Sequence, residues 1–320
     1  MKALRVQKGK TGIFEVARPS AEGEALVRVI ASGICNTDLE IVKGYAGFNG
    51  TLGHEFVGVI ERADVAPEMV STRVVGEINA GCGECYNCSL GDPRHCPRRT
   101  VLGILGRDGA HAEFLSLPLQ NLAAVPDVIG DEEAVFAEPL AAAWGITEQV
   151  DLSTETKIAV IGDGKFGLLC ALTLARVTDG LTLIGRHPEK LKIAGDIGVH
   201  TRLTNDLSGL DRSFDVVVEA SGSESGFESA VGLVRPRGKI VLKSTFNGRP
   251  TWPASRIVVD EITVVGSRCG KFGPALELLE TRAVDVRPLI SDVLSLSEGV
   301  KAMERAAERG ILKVLLRMDG

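Results

Sequence analysis

At 320 residues the chain has room for two domains, each able to bury its own core. A hydrophobic fraction of 44% with 24% charged residues is ordinary for a soluble globular protein. The net charge of −6 and the lack of a basic run argue against a nucleic-acid or anionic-membrane surface, and no apolar segment is long enough to span a bilayer.

The start, Met1-Lys2-Ala3-Leu4-Arg5-Val6-Gln7-Lys8, lacks the apolar core of a secretion signal. The first ~140 residues read as β-rich, with alternation in Ala25-Leu26-Val27-Arg28-Val29-Ile30 and in Phe56-Val57-Gly58-Val59-Ile60, and glycine turns between. Within this part lie Cys82, Cys85, Cys88 and Cys96, spaced C-x2-C-x2-C-x7-C in a lobe over residues 81–97. Four thiolates this close can surround one tetrahedral zinc and leave no position open for substrate, so this metal is expected to be structural. Metal-binding thiols suit a reducing cytoplasm better than a disulfide framework does. Cys170, on an expected helix face, reads as a small core residue.

From about residue 141 apolar strands alternate with helices, the pattern of a parallel α/β sheet. Strands are expected at 157–161, 181–184, 214–218, 239–242 and 262–265, and helices at 166–177, 188–197, 226–233 and 274–279. A further helix begins near Ser297, capped by Ser295 or Ser297, and Ile311-Leu312-Lys313-Val314-Leu315-Leu316 reads as a closing strand.

The strand ending at Ile161 runs into Gly162-Asp163-Gly164-Lys165-Phe166-Gly167 and then an apolar helix. In that context G-x-G-x-x-G is a dinucleotide loop. Gly162 permits the turn, Gly164 lets the pyrophosphate approach the backbone, and Gly167 lets helix and strand pack closely. The helix start, with Lys165 and Phe166, then faces the phosphates. The next strand usually ends in an acid that binds the ribose hydroxyls of NAD. Here it runs Ile184-Gly185-Arg186-His187, with Lys190 a turn later. Arg186, assisted by His187 or Lys190, suits a 2′-phosphate, so NADP is expected over NAD.

Gly33-Ile34-Cys35-Asn36-Thr37-Asp38, Gly53-His54-Glu55-Phe56-Val57-Gly58, the four-cysteine lobe, Asp108-Gly109-Ala110-His111-Ala112-Glu113-Phe114 and the glycine loop follow one another in the order found in the zinc-dependent medium-chain dehydrogenase/reductase superfamily, which the chain resembles over nearly its whole length. Phe136-Ala137-Glu138-Pro139-Leu140 is similar to the polyol and sugar dehydrogenase branch, where alcohol dehydrogenases carry a second cysteine.

The resemblance implies a GroES-like β-rich catalytic domain (1–140 and 267–320) and a Rossmann doubly wound parallel-sheet domain (141–266). It implies a second, catalytic zinc on Cys35 and His54, with Glu55 and Glu138 competing for the third position. Asp38 would receive the other ring N–H of His54, and Thr37 would pass a proton from the substrate oxygen. Glu40 stands where the family often has a histidine to carry that proton outward. The implied activity is hydride transfer between a polyol, sugar or other polar secondary alcohol and NADP or NAD. A homodimer or homotetramer is implied, with the 262–265 strand pairing across a two-fold axis. Two alternatives stand beside this: a non-catalytic nucleotide-binding protein with structural zinc alone, and a zinc-free quinone or enone reductase.

Overall fold

The computed structural model describes residues 1–20, 22–244 and 253–319. The chain divides into two compact units. One comprises Met1–Glu138, Ala275–Arg282 and Val286–Gly320, and the other Pro139–Pro274 and Ala283–Asp285.

The first unit is built on a sheet ordered Leu122–Ala124, Arg73–Gly76, Glu55–Ala63, Ala25–Gly33, Lys313–Arg317, Ile290–Ser295, with Phe114–Leu117 also pairing with Ala25–Gly33. Two pairings position the site. Ala25–Gly33 runs antiparallel to Glu55–Ala63, with Gly33 opposite Glu55. Lys313–Arg317 pairs antiparallel on its other side, with Leu315 opposite Gly33, and Ile34 N–H donates to Val314 O at 3.0 Å. Residues 33–35, 54–55 and 313 are thereby gathered at one end of three adjacent strands. Alternating apolar side chains fill the core beneath: Val27, Val29, Phe56, Ile60, Val74, Leu115 and Leu117 form one cluster. Leu4, Ile34, Ile41, Leu52, Val314 and Leu316 form another.

The second unit is a six-stranded sheet of β1 (Ile158–Ile161), β2 (Leu181–Gly185), β3 (His200–Leu203), β4 (Phe214–Glu219), β5 (Val234–Leu242) and β6 (Thr263–Gly266). Its order is β3-β2-β1-β4-β5-β6, with every pairing parallel. This is the doubly wound dinucleotide order, whose switch point lies between β1 and β4. Helices α1 (Lys165–Leu174), α2 (Pro188–Gly195) and α3 (Glu224–Leu233) connect it. All four residues of β1 are buried, which explains its unbroken apolar run. Cys170 is buried on α1, as expected.

One local expectation is corrected. Ser295 caps a 3-10 turn at Leu296–Glu298, and the following helix, Gly299–Ala307, has Glu298 at its cap with no side-chain bond. The Ser295 and Ser297 hydroxyls bond each other at 2.8 Å instead of the helix end. The strand β3 went unpredicted because it is a sheet edge, half polar and without a buried face. Among the described residues no helix is long and apolar enough to cross a membrane.

Candidate active site and nucleotide loop

Cys35 ends the turn after the Ala25–Gly33 strand and is the N-cap of the helix Asn36–Val42. Its backbone N–H donates to Asp38 Oδ2 at 2.8 Å, while Gly53 N–H donates to Asp38 Oδ1 at 3.0 Å. One buried carboxylate thus ties the cysteine segment to the histidine segment. Gly53 has φ +92°, and a Cβ there would collide with the His111 ring, so only glycine fits. The outcome is that one donor atom each from Cys35, His54 and Glu55 lies within 4.8 Å of the others. Glu138 opens the helix Ala137–Gln149 outside this trio.

Asp38 lies between two buried histidines. His54 Nδ1 is 3.7 Å from Oδ1, and His111 Nε2 is 3.6 Å from Oδ2. Each of these ring nitrogens lacks a hydrogen-bond partner. His111 Nδ1 is 2.8 Å from Ser32 Oγ. Burial opposes the Asp38 charge, but His54, His111 and the Cys35 N–H outweigh it and hold the carboxyl well below its usual range. Burial likewise opposes a charged His54, yet Asp38, Cys35 and Glu138 raise it to about 10. Burial pushes Glu138 up to about 7, with Glu55 adding to the rise and His54 opposing it.

Sequence reasoning missed Lys313. It is 1% exposed and forms an ion pair with the equally buried Glu55. Burial opposes its charge, but Glu55, Cys35 and Glu138 outweigh that and raise its pKa. The available signal was a lysine inside an apolar closing strand whose first four residues are all buried. Thr37 Oγ1 is 3.7 Å from Cys35 Sγ. The Glu40 carboxylate is paired with Lys43 at 2.8 Å.

The sulfurs of Cys82, Cys85, Cys88 and Cys96 also lie within 4.8 Å of one another. Backbone N–H groups of Cys82 and Arg98 approach Cys96 Sγ at 3.4 and 3.3 Å, as they would a thiolate. The backbone at Glu84 is the main cause that pulls the Cys82 thiol down to about 6. Both clusters are donor sets that suit zinc, one all-thiolate and one mixed with room for a further ligand.

In the second unit Gly162 has φ +120°, and a Cβ there would lie 2.6 Å from Ala220 O. A Cβ on Gly167 would overlap Gly162 O, whereas a Cβ on Gly164 would meet nothing within 4 Å. Gly162 and Gly167 therefore serve the fold, whereas the space beside Gly164 at the helix start is open. Lys165 and Phe166 begin α1, and the Phe166 ring lies 5.4 Å from Lys243 Nζ. Arg186 is exposed at the tip of β2, His187 is the N-cap of α2, and Lys190 is half-buried on α2. Asp163, unassigned from the sequence, is buried and accepts the backbone N–H groups of Arg186 and His187 at 2.7 and 2.6 Å.

Two family models match the chain, the alcohol dehydrogenase GroES-like domain at residues 21–127 and the zinc-binding dehydrogenase domain at 169–281. An L-threonine 3-dehydrogenase from Deinococcus deserti is 32% identical over 321 residues, covering 91% of each chain. The chain belongs to the zinc-type alcohol dehydrogenases of the medium-chain superfamily. It is therefore an oxidoreductase acting on CH–OH groups, and the non-catalytic alternative falls away.

Family structures carry both nicotinamide cofactors. An alcohol dehydrogenase from Escherichia coli CFT073, complexed with NADH, superposes with TM-score 0.90 at 26% identity over 99% of each chain. A zinc-binding dehydrogenase from Sinorhizobium meliloti 1021, bound to NADP, gives TM-score 0.89 at 27% identity over 99% of this chain and 98% of its own.

Proposed function

We propose that this dehydrogenase oxidises a polar secondary alcohol, of polyol or sugar type, with NADP as the favoured acceptor. The single observation that carries the reading is the convergence of Cys35, His54 and Glu55 donors in a buried site. Three protein ligands with an open fourth position are what a catalytic zinc requires. Bound there, zinc supplies Lewis acidity toward the alcohol or carbonyl oxygen.

The chain's own residues do the rest. Asp38 holds His54 in register through Cys35 and Gly53. Lys313 takes one Glu55 oxygen and leaves the other to the metal side. Glu138 adds a second carboxylate beside the trio. The Thr37 hydroxyl, beside Cys35, hands the substrate proton toward solvent. The four-cysteine lobe holds a structural zinc.

Support for the substrate class comes from the Glu138-Pro139-Leu140 variant and from the relative named for threonine, itself a polar secondary alcohol. Support for NADP comes from Arg186 in place of a strand-tip acid. A homo-oligomer is supported by the outer edge of β6, unpaired among the described residues, and by Val258 and Val259, 74% and 79% exposed on the Ala254–Val259 helix. The test is a screen of polyols, aldoses and secondary alcohols with NADP and with NAD, followed at the reduced-nicotinamide absorbance. Turnover of enones alone, surviving a chelator, would overturn the reading.

A further inference from the structure

We propose that Asp163 is a positioning residue for cofactor choice: from inside the glycine loop it fixes the turn that presents the Arg186 guanidinium toward the 2′-position of the adenosine ribose. The inference rests on the NADP reading above and adds to it the device that makes Arg186 effective.

One oxygen, Asp163 Oδ2, gathers the Arg186 N–H at 2.7 Å, the His187 N–H at 2.6 Å and His187 Nδ1 at 3.0 Å. Asp163 is 6% exposed, so this carboxylate braces the turn after β2 from beneath. Its place exists only because the last residue of β2 is glycine. A Cβ on Gly185 would lie 2.5–2.6 Å from the Asp163 Cβ, Cγ and Oδ2 atoms. A carboxylate is here set under the strand tip, with its Oδ2 engaged by protein donors.

Arg186 is held at its other end too. Glu219 at the end of β4 is fully buried, and its Oε1 accepts the Ser221 hydroxyl at 2.6 Å. The Ser221 proton being spent, Ser223 must donate to Ser221 across 2.9 Å, and Ser225 to Ser223 across 3.2 Å. This direction leaves the Ser225 lone pairs outward, where Arg186 Nη2 reaches them at 3.5 Å. Backbone and guanidinium are thus both tethered before any cofactor arrives, which lowers the ordering cost of binding.

The test separates positioning from charge. A carboxylate near a phosphate repels it, so charge alone makes Asp163→Ala bind phosphate more tightly. The proposal requires the opposite sign. Affinities of the zinc-loaded, full-length enzyme for 2′,5′-ADP and 5′-ADP are measured by calorimetry. The unaltered enzyme should prefer 2′,5′-ADP, and Arg186→Ala should lose roughly 30-fold on that probe. Asp163→Ala should lose about tenfold on 2′,5′-ADP while 5′-ADP changes less than about twofold. Asp163→Asn, which keeps an acceptor oxygen, should recover most of that loss, and Ser225→Ala should lose about threefold on 2′,5′-ADP alone. Unchanged or tighter 2′,5′-ADP binding by Asp163→Ala, or equal loss of both probes, overturns the proposal alone. An unaltered enzyme indifferent to the 2′-phosphate overturns the NADP reading and the proposal together.

Discussion

Lys313 and Glu55, 258 positions apart in sequence, form an ion pair in which each partner is about 1% exposed. The pair exists because the closing strand Lys313–Arg317 lies against Ala25–Gly33, whose other neighbour begins at Glu55. A buried pair of this kind is weak evidence for stability, but removing one partner strands the other charge. Lys313→Met is expected to cost about 3–5 kcal/mol in the metal-free protein. The cost should shrink when zinc is restored, because the metal then faces the same carboxylates. Urea denaturation with and without zinc measures both. An equal loss in the two states would detach Lys313 from the metal site.

The pH dependence of the metal-free protein follows from Asp38 and His54. The Asp38 carboxyl is depressed from 3.8, so its stabilisation is present above that value and lost as pH falls below it. His54 is raised from 6.5 to about 10, so its stabilisation is complete below pH 6.5 and lost as pH rises through 10. Thermal melts of chelator-treated protein should therefore fall off at both ends. In Asp38→Asn the alkaline decline should flatten, since Asp38 is the leading charge that holds the His54 proton. An unaltered alkaline limb in that variant would refute the coupling.

The two glycines at the head of α1 should separate cofactor binding from folding. A Cβ at Gly164 meets no protein atom, so Gly164→Ala should change stability by less than about 0.5 kcal/mol. The same methyl occupies the approach of the pyrophosphate, so dinucleotide affinity should fall by more than about tenfold. Gly167→Ala overlaps Gly162 O and should lower stability by several kcal/mol, on the order of a strained core site. Melting curves and cofactor titrations on both variants check the contrast.

The four-cysteine lobe should act on stability alone. Cys96 is fully buried, and Cys96→Ser should remove one metal per chain and lower the melting temperature. In the protein that remains folded at low temperature, turnover per catalytic zinc should stay within about twofold, because an all-thiolate shell offers substrate no position. Metal analysis beside kinetics at 10–15 °C (roughly the range of maximal stability for globular proteins) reads this out.

Local chemistry was legible in the sequence where it sits at short spacing. The cysteine lobe and Gly162 through Gly167 each act within a turn or two, so spacing carried their geometry, whereas the Cys35 N–H bond to Asp38 emerged only in the structure. Partners joined by sheet pairing were not legible. Lys313 meets Glu55 only once the last strand is in place, and Asp163 meets His187 only when β1 and β2 pair. The Asp38–His111 contact likewise needs Gly53 packed against the His111 ring. The β3 edge strand escaped notice because it buries no face, so no periodicity marks it. Glu40, where the family often has a histidine, has its carboxylate paired with Lys43 on the surface.

The proposed function depends on Cys35, His54 and Glu55 together holding the metal needed for turnover. Zinc content by mass spectrometry, measured on the same samples as alcohol-dependent NADP reduction, tests it most directly. About two zinc ions per chain and turnover are expected in the unaltered protein. About one zinc, a preserved fold and no turnover are expected in His54→Ala. A His54→Ala protein that keeps its second zinc, or that still reduces the cofactor at the original rate, would contradict it.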